Sequence, residues 1–253
     1  MEIGIISVRD SDYHPNRRLI QAAAEKGHRG LLIHPYKVWP CATHNGLGFE
    51  GELDARDLDA VMPRQGATIG ESSLTLLHHF SCLEMPMVNG FNAVCIARSQ
   101  IMTLQTLAAG GLPVPETLFT NSEEGFHGAV PLVGGYPVVA KQVSGRQGSG
   151  IYLVDTKTRA EAILNDHMEP RTGILVQRYI QTPGRLDIRV MVVDGKVVGA
   201  MEMTPLEGDF RANFHLTRES RPFNLTSSIE KLAVKAACAV GLDIAGVDVI
   251  VDR

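Results

Sequence analysis

The chain lacks the features of membrane, exported and disulfide-rich proteins. It has no run of about 18 apolar residues that could span a bilayer, and its N-terminus has no basic segment followed by a long apolar one. Its cysteines, Cys41, Cys82, Cys95 and Cys238, show no C-x-x-C spacing, which favours reduced thiols over disulfides or a zinc site. We therefore expect a cytoplasmic protein.

Strong charge, internal repeats and low-complexity segments are also missing. The formal net charge of −4 and a pI near 6.1 argue against non-specific binding to nucleic acid or to an anionic membrane surface. No G-x-G-x-x-G follows the first predicted strand, which argues against the usual dinucleotide-binding unit. With 253 residues, 44% hydrophobic and 21% charged, the chain is typical of a globular protein of two or three small domains.

Strands and helices alternate along the first 95 residues or so, which predicts a mainly parallel sheet. In chain order the predicted elements are a strand at Ile3–Ser7, a helix at Asn16–Lys26, a strand at Gly30–His34, a strand at Asp59–Arg64, a helix at Ser72–Leu83 and a short strand at Met87–Asn89. We expect this α/β unit to form a first domain, residues 1–95.

The rest of the chain predicts a linking helix and two mixed lobes. The predicted features are a helix at Ala93–Ala109, a lobe over Val114–Gln181 with a helix at Thr158–His167, a hairpin at Leu186–Glu202 that turns at Asp194-Gly195, a helix at Ser227–Val240 and a strand at Ile244–Val251. The expected domains are residues 96–180 and 181–253.

A lysine beside a glycine-rich loop is the most informative pattern. The strand that ends in Lys141 is followed by the loop Ser144–Gly150 and a second strand, Ile151–Val154. Backbone N–H groups of such a loop can fold over a triphosphate, while the lysine supplies a positive charge. Each piece alone also fits a plain surface lysine or an ordinary hairpin loop. Asp248, within an apolar strand, needs a partner, because an isolated buried charge is costly.

Taken in order, several motifs resemble those of RimK-like ATP-grasp carboxylate–amine ligases, the group that adds glutamate to the C-terminus of a ribosomal small-subunit protein and to related substrates. They are residues 62–67, 139–141, 147–150, 176–180, 187–189, 207–213 and 245–248. The resemblance implies an ATP-grasp fold of mixed α/β and α+β lobes. A parallel-sheet pre-ATP-grasp domain would precede a small central lobe and a C-terminal lobe, with ATP between the two lobes.

The resemblance also assigns roles to residues. For the nucleotide, it implies phosphate contact by Lys141, a lid containing Gly145, Gly148 and Gly150, adenine contact by Gln177, Arg178, Tyr179 and Ile180, and ribose contact by Asp187. For chemistry, it implies Arg189 and Arg211 as bidentate anion ligands, Asn213 near the γ-phosphate, Arg64 at the substrate and Asp248 on the metal. The histidines His34, His44, His78, His79 and His167 show no spacing typical of metal ligands.

The expected reaction joins a carboxylate to an amine at the expense of ATP, with Mg²⁺ or Mn²⁺. The implied partners are ATP, an acidic amino acid (glutamate first) and a protein or peptide C-terminal carboxylate. A homo-oligomer is expected, without nucleic acid or membrane. Activation would pass through an acyl phosphate, since a carboxylate is a poor acyl donor.

The alternative is a non-catalytic nucleotide-binding interaction protein. Gln100 favours it, because the family has a phosphate-binding lysine at that position; Met203 and Leu216-Thr217-Arg218 also depart from the family pattern. In the family, a Glu-x-Asn metal motif follows the last strand, so we expect a C-terminal lobe that is incomplete at Arg253.

Overall fold

The computed structural model describes residues 1–52, 57–64, 69–143, 150–181, 185–206, 209–211 and 217–252, without the side chains of residues 217 and 218. The chain forms two compact units. The first contains Met1–Arg98 with Gly241–Asp243, and the second contains Ser99–Val240 and the chain from Ile244 onward. Among the residues described, no helix is both long and apolar enough to cross a membrane.

A three-stranded parallel sheet organises the first unit, as predicted. Its elements are β1 (Glu2–Ile6), α1 (His14–Glu25), β2 (Arg29–Ile33), β3 (Val38–Thr43), β4 (Gly46–Gly51), β5 (Ala60–Pro63), α2 (Glu71–Cys82) and α3 (Phe91–Ala97). Strand β1 lies between β2 and β5, and its side chains Ile5 and Ile6 are buried. A short apolar strand is typical of this central, doubly covered position. The predicted strand at Met87–Asn89 is reduced to a single parallel bridge between Met87 and Val61.

An antiparallel hairpin of β3 and β4 extends the first unit. It was not predicted, although a turn signal, Asn45-Gly46, lies between the strands, where Thr43 pairs with Gly46. Phe49 of β4 contacts the ring of Phe80 on α2, with 5.0 Å between centroids. The hairpin therefore joins the same hydrophobic core as the parallel sheet.

The second unit begins with a helix and a four-stranded antiparallel sheet, which we call the central lobe. The elements are α4 (Gln100–Ala109), β6 (Thr117–Thr120), α5 (Glu123–Leu132), β7 (Val138–Gln142), β8 (Ile151–Val154), α6 (Lys157–His167) and β9 (Ile174–Arg178). The strand order is β6-β9-β7-β8. Helices α5 and α6 share one core with the sheet, centred on Phe126, Ala160 and Val176.

A second antiparallel sheet, which we call the C-terminal sheet, completes this unit. Its elements are β10 (Leu186–Val193), β11 (Lys196–Pro205), β12 (Thr217–Pro222), α7 (Ser227–Val240) and β13 (Ile244–Val251), with strand order β12-β11-β10-β13. The predicted turn is confirmed, because Asp194 and Gly195 both have positive φ, 47° and 67°. Helix α7 and strand β13 have the predicted bounds.

One predicted helix in this region was wrong, and one helix was missed. The predicted helix at Ala93–Ala109 is two helices, α3 and α4, because Ser99 caps a new N-terminus and its hydroxyl accepts a hydrogen bond from Met102 N. Helix α5 was not predicted, since Gly125, Gly128 and Pro131 are poor helix formers. The burial of its apolar face against the central lobe outweighs that propensity.

Candidate active site

The candidate site begins on one face of the C-terminal sheet. Asp187 and Arg189 are two residues apart on β10, so they point to the same side, and Arg189 pairs in register with Asp248 on β13. The opposite face carries the fully buried Ile188 and Val190, and α7 packs on this sheet. The alternation of apolar and charged residues thus places three charged side chains on one face of the sheet, as the period of a strand requires.

Arg189 and Asp248 form an open ion pair on this face. Arg189 Nη1 lies 3.4 Å from Asp248 Oδ1, and 62% of the Asp248 side chain is exposed. Gly246 provides the room, because a Cβ there would lie 2.9 Å from Arg189 Nη2. The guanidinium therefore crosses β13 at the glycine, and both charges remain accessible to a ligand.

Lys141 adds a positive charge from the central lobe. It lies near the end of β7, half-buried and paired in register with Ile151. Burial, followed by the positive charge of Arg185, lowers the pKa of Lys141 to about 8, while Asp248 acts in the opposite direction. These interactions place Lys141 within electrostatic reach of the C-terminal sheet, and a bound anion would favour its protonated form.

Asp248 is surrounded by both signs of charge. Crowding by the protein raises its pKa, Arg189 and Lys141 lower it, and Asp187 raises it. Because most of the side chain still faces solvent, we take the carboxylate to be ionised at neutral pH. An exposed carboxylate oxygen of this kind fits Mg²⁺, which commonly takes one or two protein carboxylates together with phosphates and water.

Asp187, the predicted ribose ligand, forms a buried ion pair. Arg185 Nε donates to its Oδ2 at 2.8 Å, with only 6% of the arginine and 11% of the aspartate side chain exposed. Burial raises the pKa of Asp187, and the bond and charge of Arg185 oppose that shift. One carboxylate oxygen is therefore engaged by the protein itself.

Arg185 was not predicted as a site residue, yet it connects three segments. Besides Asp187, its Nη1 donates to the Ile180 carbonyl at 2.9 Å, and its Nη2 donates to the Phe210 carbonyl. The Phe210 ring also meets the Tyr179 ring edge to face, at 5.9 Å. The sequence could have predicted the Arg185–Asp187 pair, because residues two apart lie on the same side of an extended chain.

The other predicted nucleotide ligands differ in their surroundings. Gln177 is buried, and its Nε2 donates to Thr117 Oγ1 at 2.7 Å. Arg178 directs its guanidinium to Glu116 at 3.4 Å, and its backbone N–H to the Glu116 carbonyl at 2.8 Å. Both side chains therefore bind residues at or next to β6 and stabilise the pairing of β9 with that strand. Because they are engaged there, an adenine contact in this segment would come from backbone groups or from Tyr179.

Arg211 and Arg64 complete the described set. Arg211 chelates Asp209, with Nε 2.9 Å from Oδ1 and Nη2 2.7 Å from Oδ2, which raises the pKa of Arg211 and lowers that of Asp209. Arg64 lies in the first unit, directly after β5, where its N–H donates to the Ile6 carbonyl at 2.8 Å.

Some predicted residues lie outside the described residues, and another lies at their border. Gly145, Gly148 and Asn213 are outside. Gly150, at the end of the predicted lid, has φ of 72°, and its carbonyl accepts from Gln142 N at 2.8 Å. Glycine is needed at this position for two reasons. Its backbone is left-handed, and a Cβ there would lie 2.4 Å from Gln142 Oε1.

Comparison with known proteins identifies the family. A RimK PreATP-grasp domain model matches residues 1–94, and a RimK-like ATP-grasp domain model matches residues 97–253. A probable alpha-L-glutamate ligase of Thioalkalivibrio sulfidiphilus is 34% identical over 252 residues, which are 99% of this chain and 83% of that protein.

Solved structures show the same fold. A RimK domain ATP-grasp protein from Sphaerobacter thermophilus superposes with a TM-score of 0.78 at 22% identity, covering 99% of this chain and 86% of that one. The ATP-grasp ligase PsnB, solved with a minimal precursor, Mg and ADP, gives a TM-score of 0.69 at 20% identity, covering 100% of this chain and 84% of that one. The predicted fold and resemblance are confirmed, and the ligase is favoured over the non-catalytic alternative. This chain belongs to the RimK family of ATP-grasp proteins and is an ATP-dependent carboxylate–amine ligase.

Proposed function

We propose that this ligase adds an acidic amino acid, glutamate first, to the C-terminal carboxylate of a protein or peptide through an acyl phosphate. The observation that carries the proposal is that Lys141, Arg189 and Asp248 lie within electrostatic reach of one another, next to the Asp187–Arg185 pair. Phosphoryl transfer depends mainly on positioning and charge stabilisation, which such a set of residues can supply. The choice of glutamate rests on the name of the relatives as alpha-L-glutamate ligases.

The nucleotide would lie between the central lobe and the C-terminal sheet. Lys141 would bind its α- and β-phosphates, because it projects a desolvated positive charge from the end of β7. The backbone of residues 178–180 and the Tyr179 ring would meet the adenine, and the free side of Asp187 would accept the ribose hydroxyl. Arg185 would position both, since it holds the Ile180 carbonyl and Asp187 at once.

In the first step, an oxygen of the substrate carboxylate attacks the γ-phosphorus of ATP, and the bond to the bridging oxygen of ADP breaks. In the second step, the amine nitrogen attacks the acyl carbon, the C–O bond breaks, and inorganic phosphate leaves with that electron pair while the amine loses a proton. One carboxylate oxygen therefore ends in the phosphate. Arg189 and Arg211, with Asn213, would stabilise the transferring phosphoryl group.

Among the residues that the structure describes, Asp248 would bind Mg²⁺ through a carboxylate oxygen. The ion would neutralise charge on the phosphates. Arg64 would grip a carboxylate of the substrate. The exposed Asp248 carboxylate supports the metal assignment, whereas the assignment of Arg64 rests on the family resemblance.

The test follows the oxygen atom. A peptide with an ¹⁸O-labelled C-terminal carboxylate should transfer one ¹⁸O to phosphate when the first glutamate is added, measured by mass spectrometry. The same peptide with a C-terminal amide is the matched control and should give no product. Glutamate addition with unlabelled phosphate would refute the acyl-phosphate route, whereas phosphate labelling with another amino acid alone would refute only the choice of glutamate.

The nucleotide placement is tested separately. Lys141→Ala should weaken ADP binding about tenfold or more in calorimetry, the size of a lost charge-assisted contact of about 1.5–3 kcal/mol. Lys196→Ala, at an exposed position in the β10–β11 hairpin, is the control and should bind like the wild type. Equal affinities in all three proteins would remove Lys141 from the site.

A further inference from the structure

Three metal-ligating side chains meet on the helical side of the central lobe. Glu123 and His127 lie four residues apart on one face of α5, and Glu161 lies on α6, which packs against α5. Each offers one ligand atom, and these three atoms lie within 4.8 Å of one another. None of the three belongs to the candidate active site.

Two buried polar atoms at this place lack the partner that buried groups normally have. His127 Nε2 is buried without a hydrogen-bond partner among the described residues, and it lies 3.6 Å from Glu123 Oε1, beyond hydrogen-bond distance. Tyr136 Oη is also buried and has no hydrogen-bond partner among the described residues. Burial, and then the nearby charge of Glu161, raise the pKa of Tyr136, so this hydroxyl lies within electrostatic reach of the same carboxylate. Since buried polar atoms are nearly always satisfied, the arrangement points to a ligand.

We propose that Glu123, His127 and Glu161 form a binding site for a zinc-like divalent metal ion that ties α5 to α6. Ligand atoms about 2.0–2.1 Å from a tetrahedral zinc ion lie about 3.3–3.4 Å apart, close to the 3.6 Å between His127 Nε2 and Glu123 Oε1. The ion would satisfy the buried His127 nitrogen and neutralise two carboxylates.

The donor set selects the kind of metal. One imidazole nitrogen with two carboxylate oxygens suits Zn²⁺ better than Mg²⁺, which prefers oxygen ligands and water. The Glu123 side chain is 62% exposed, so one side of the site is open to a water ligand. Lys157 Nζ lies 3.9 Å from Glu161 Oε1 and forms a weak, exposed ion pair with it. A metal ion bound to Glu161 would displace this lysine.

Calorimetry of the chelator-treated full chain with ZnCl₂ tests the site. Wild type should show a Zn²⁺ site that His127→Gln weakens about a hundredfold. Two control variants each remove the same type of side chain outside the proposed site. His167→Gln removes a histidine that stacks on Tyr152 in the same lobe, and Glu124→Gln removes the exposed carboxylate next to Glu123. Both should bind Zn²⁺ like the wild type.

Thermal unfolding provides a readout that does not depend on activity. Zn²⁺ should raise the Tm of the wild type and both controls, but not that of His127→Gln, while all four should melt alike in EDTA. If His127→Gln does not fold, Glu123→Gln replaces it, because that side chain is exposed. Zn²⁺ that binds with equal affinity and stoichiometry to wild type and to the site variant occupies another place and would overturn the proposal, as would the absence of binding to wild type.

Discussion

Replacement of Arg185 by methionine should destabilise the second unit far more than an arginine in a surface pair would. The substitution keeps the length and packing of the side chain but leaves Asp187, 11% exposed, without its counter-charge. Removal of one partner of a buried ion pair costs about 3–5 kcal/mol. The Ile180 and Phe210 carbonyls also lose their donor, although water can replace a lost donor at a backbone carbonyl.

The expected loss in unfolding free energy is therefore about 4 kcal/mol. For a unit of about 150 residues this corresponds to a fall in Tm of about 8–16 °C. Arg221→Met is the matched control, because Arg221 pairs with Glu202 at 3.7 Å in the same sheet with 60% of its side chain exposed. A surface pair of that kind contributes at most about 1 kcal/mol.

Chemical denaturation and thermal melts of four proteins decide the matter: wild type, Arg185→Met, Arg221→Met and the double variant Arg185→Met/Asp187→Asn. If the unpaired carboxylate causes most of the loss, the double variant should recover about 2 kcal/mol of it, because the buried charge is gone. A loss below about 1 kcal/mol in Arg185→Met, or a double variant less stable than the single one, would refute the reasoning.

Two further predictions concern charge at the proposed nucleotide site. Lys141 has a pKa of about 8, below its ordinary 10.5, and bound phosphates favour its protonated form, so ADP binding should take up a proton and weaken as the pH rises above about 8. Calorimetry across pH 7–9.5 should show that dependence in wild type and in Lys196→Ala but not in Lys141→Ala; a flat wild-type profile would contradict it. Asp248→Asn should weaken ADP binding in Mg²⁺ but strengthen it in EDTA, and a change of the same sign in both buffers would exclude a metal role.

Regular alternation made much of the second unit predictable from sequence. The β10 run from Ile188 to Val193 and the Asp194-Gly195 turn fix a hairpin with little freedom, and the structure has it. The same alternation is the reason that Asp187 and Arg189 share a face. Here local pattern and tertiary packing agree, so sequence reasoning succeeded.

Sequence reasoning failed where packing outweighs propensity or where contacts are long-range. Helix α5 forms despite two glycines and a proline, because Phe126 and Val130 are buried in the lobe core. Arg185 could have been paired with Asp187 from spacing alone, but not with Phe210, which lies 25 residues away across a different segment. The reach of a long side chain to a backbone carbonyl leaves no periodic signal.

The charges that remain accessible explain why the proposed nucleotide site would need a cation. The described residues that converge on it carry three positive charges, on Lys141, Arg185 and Arg189, and two negative ones, on Asp187 and Asp248, a net charge of +1. The Asp187–Arg185 pair is buried and internally neutral, so a phosphate chain meets two cations and the Asp248 carboxylate. On its own that carboxylate repels a polyanion. In the proposed site, Asp248 would favour nucleotide binding only with a divalent ion to offset its charge, which is why its effect on affinity should change sign when Mg²⁺ is removed.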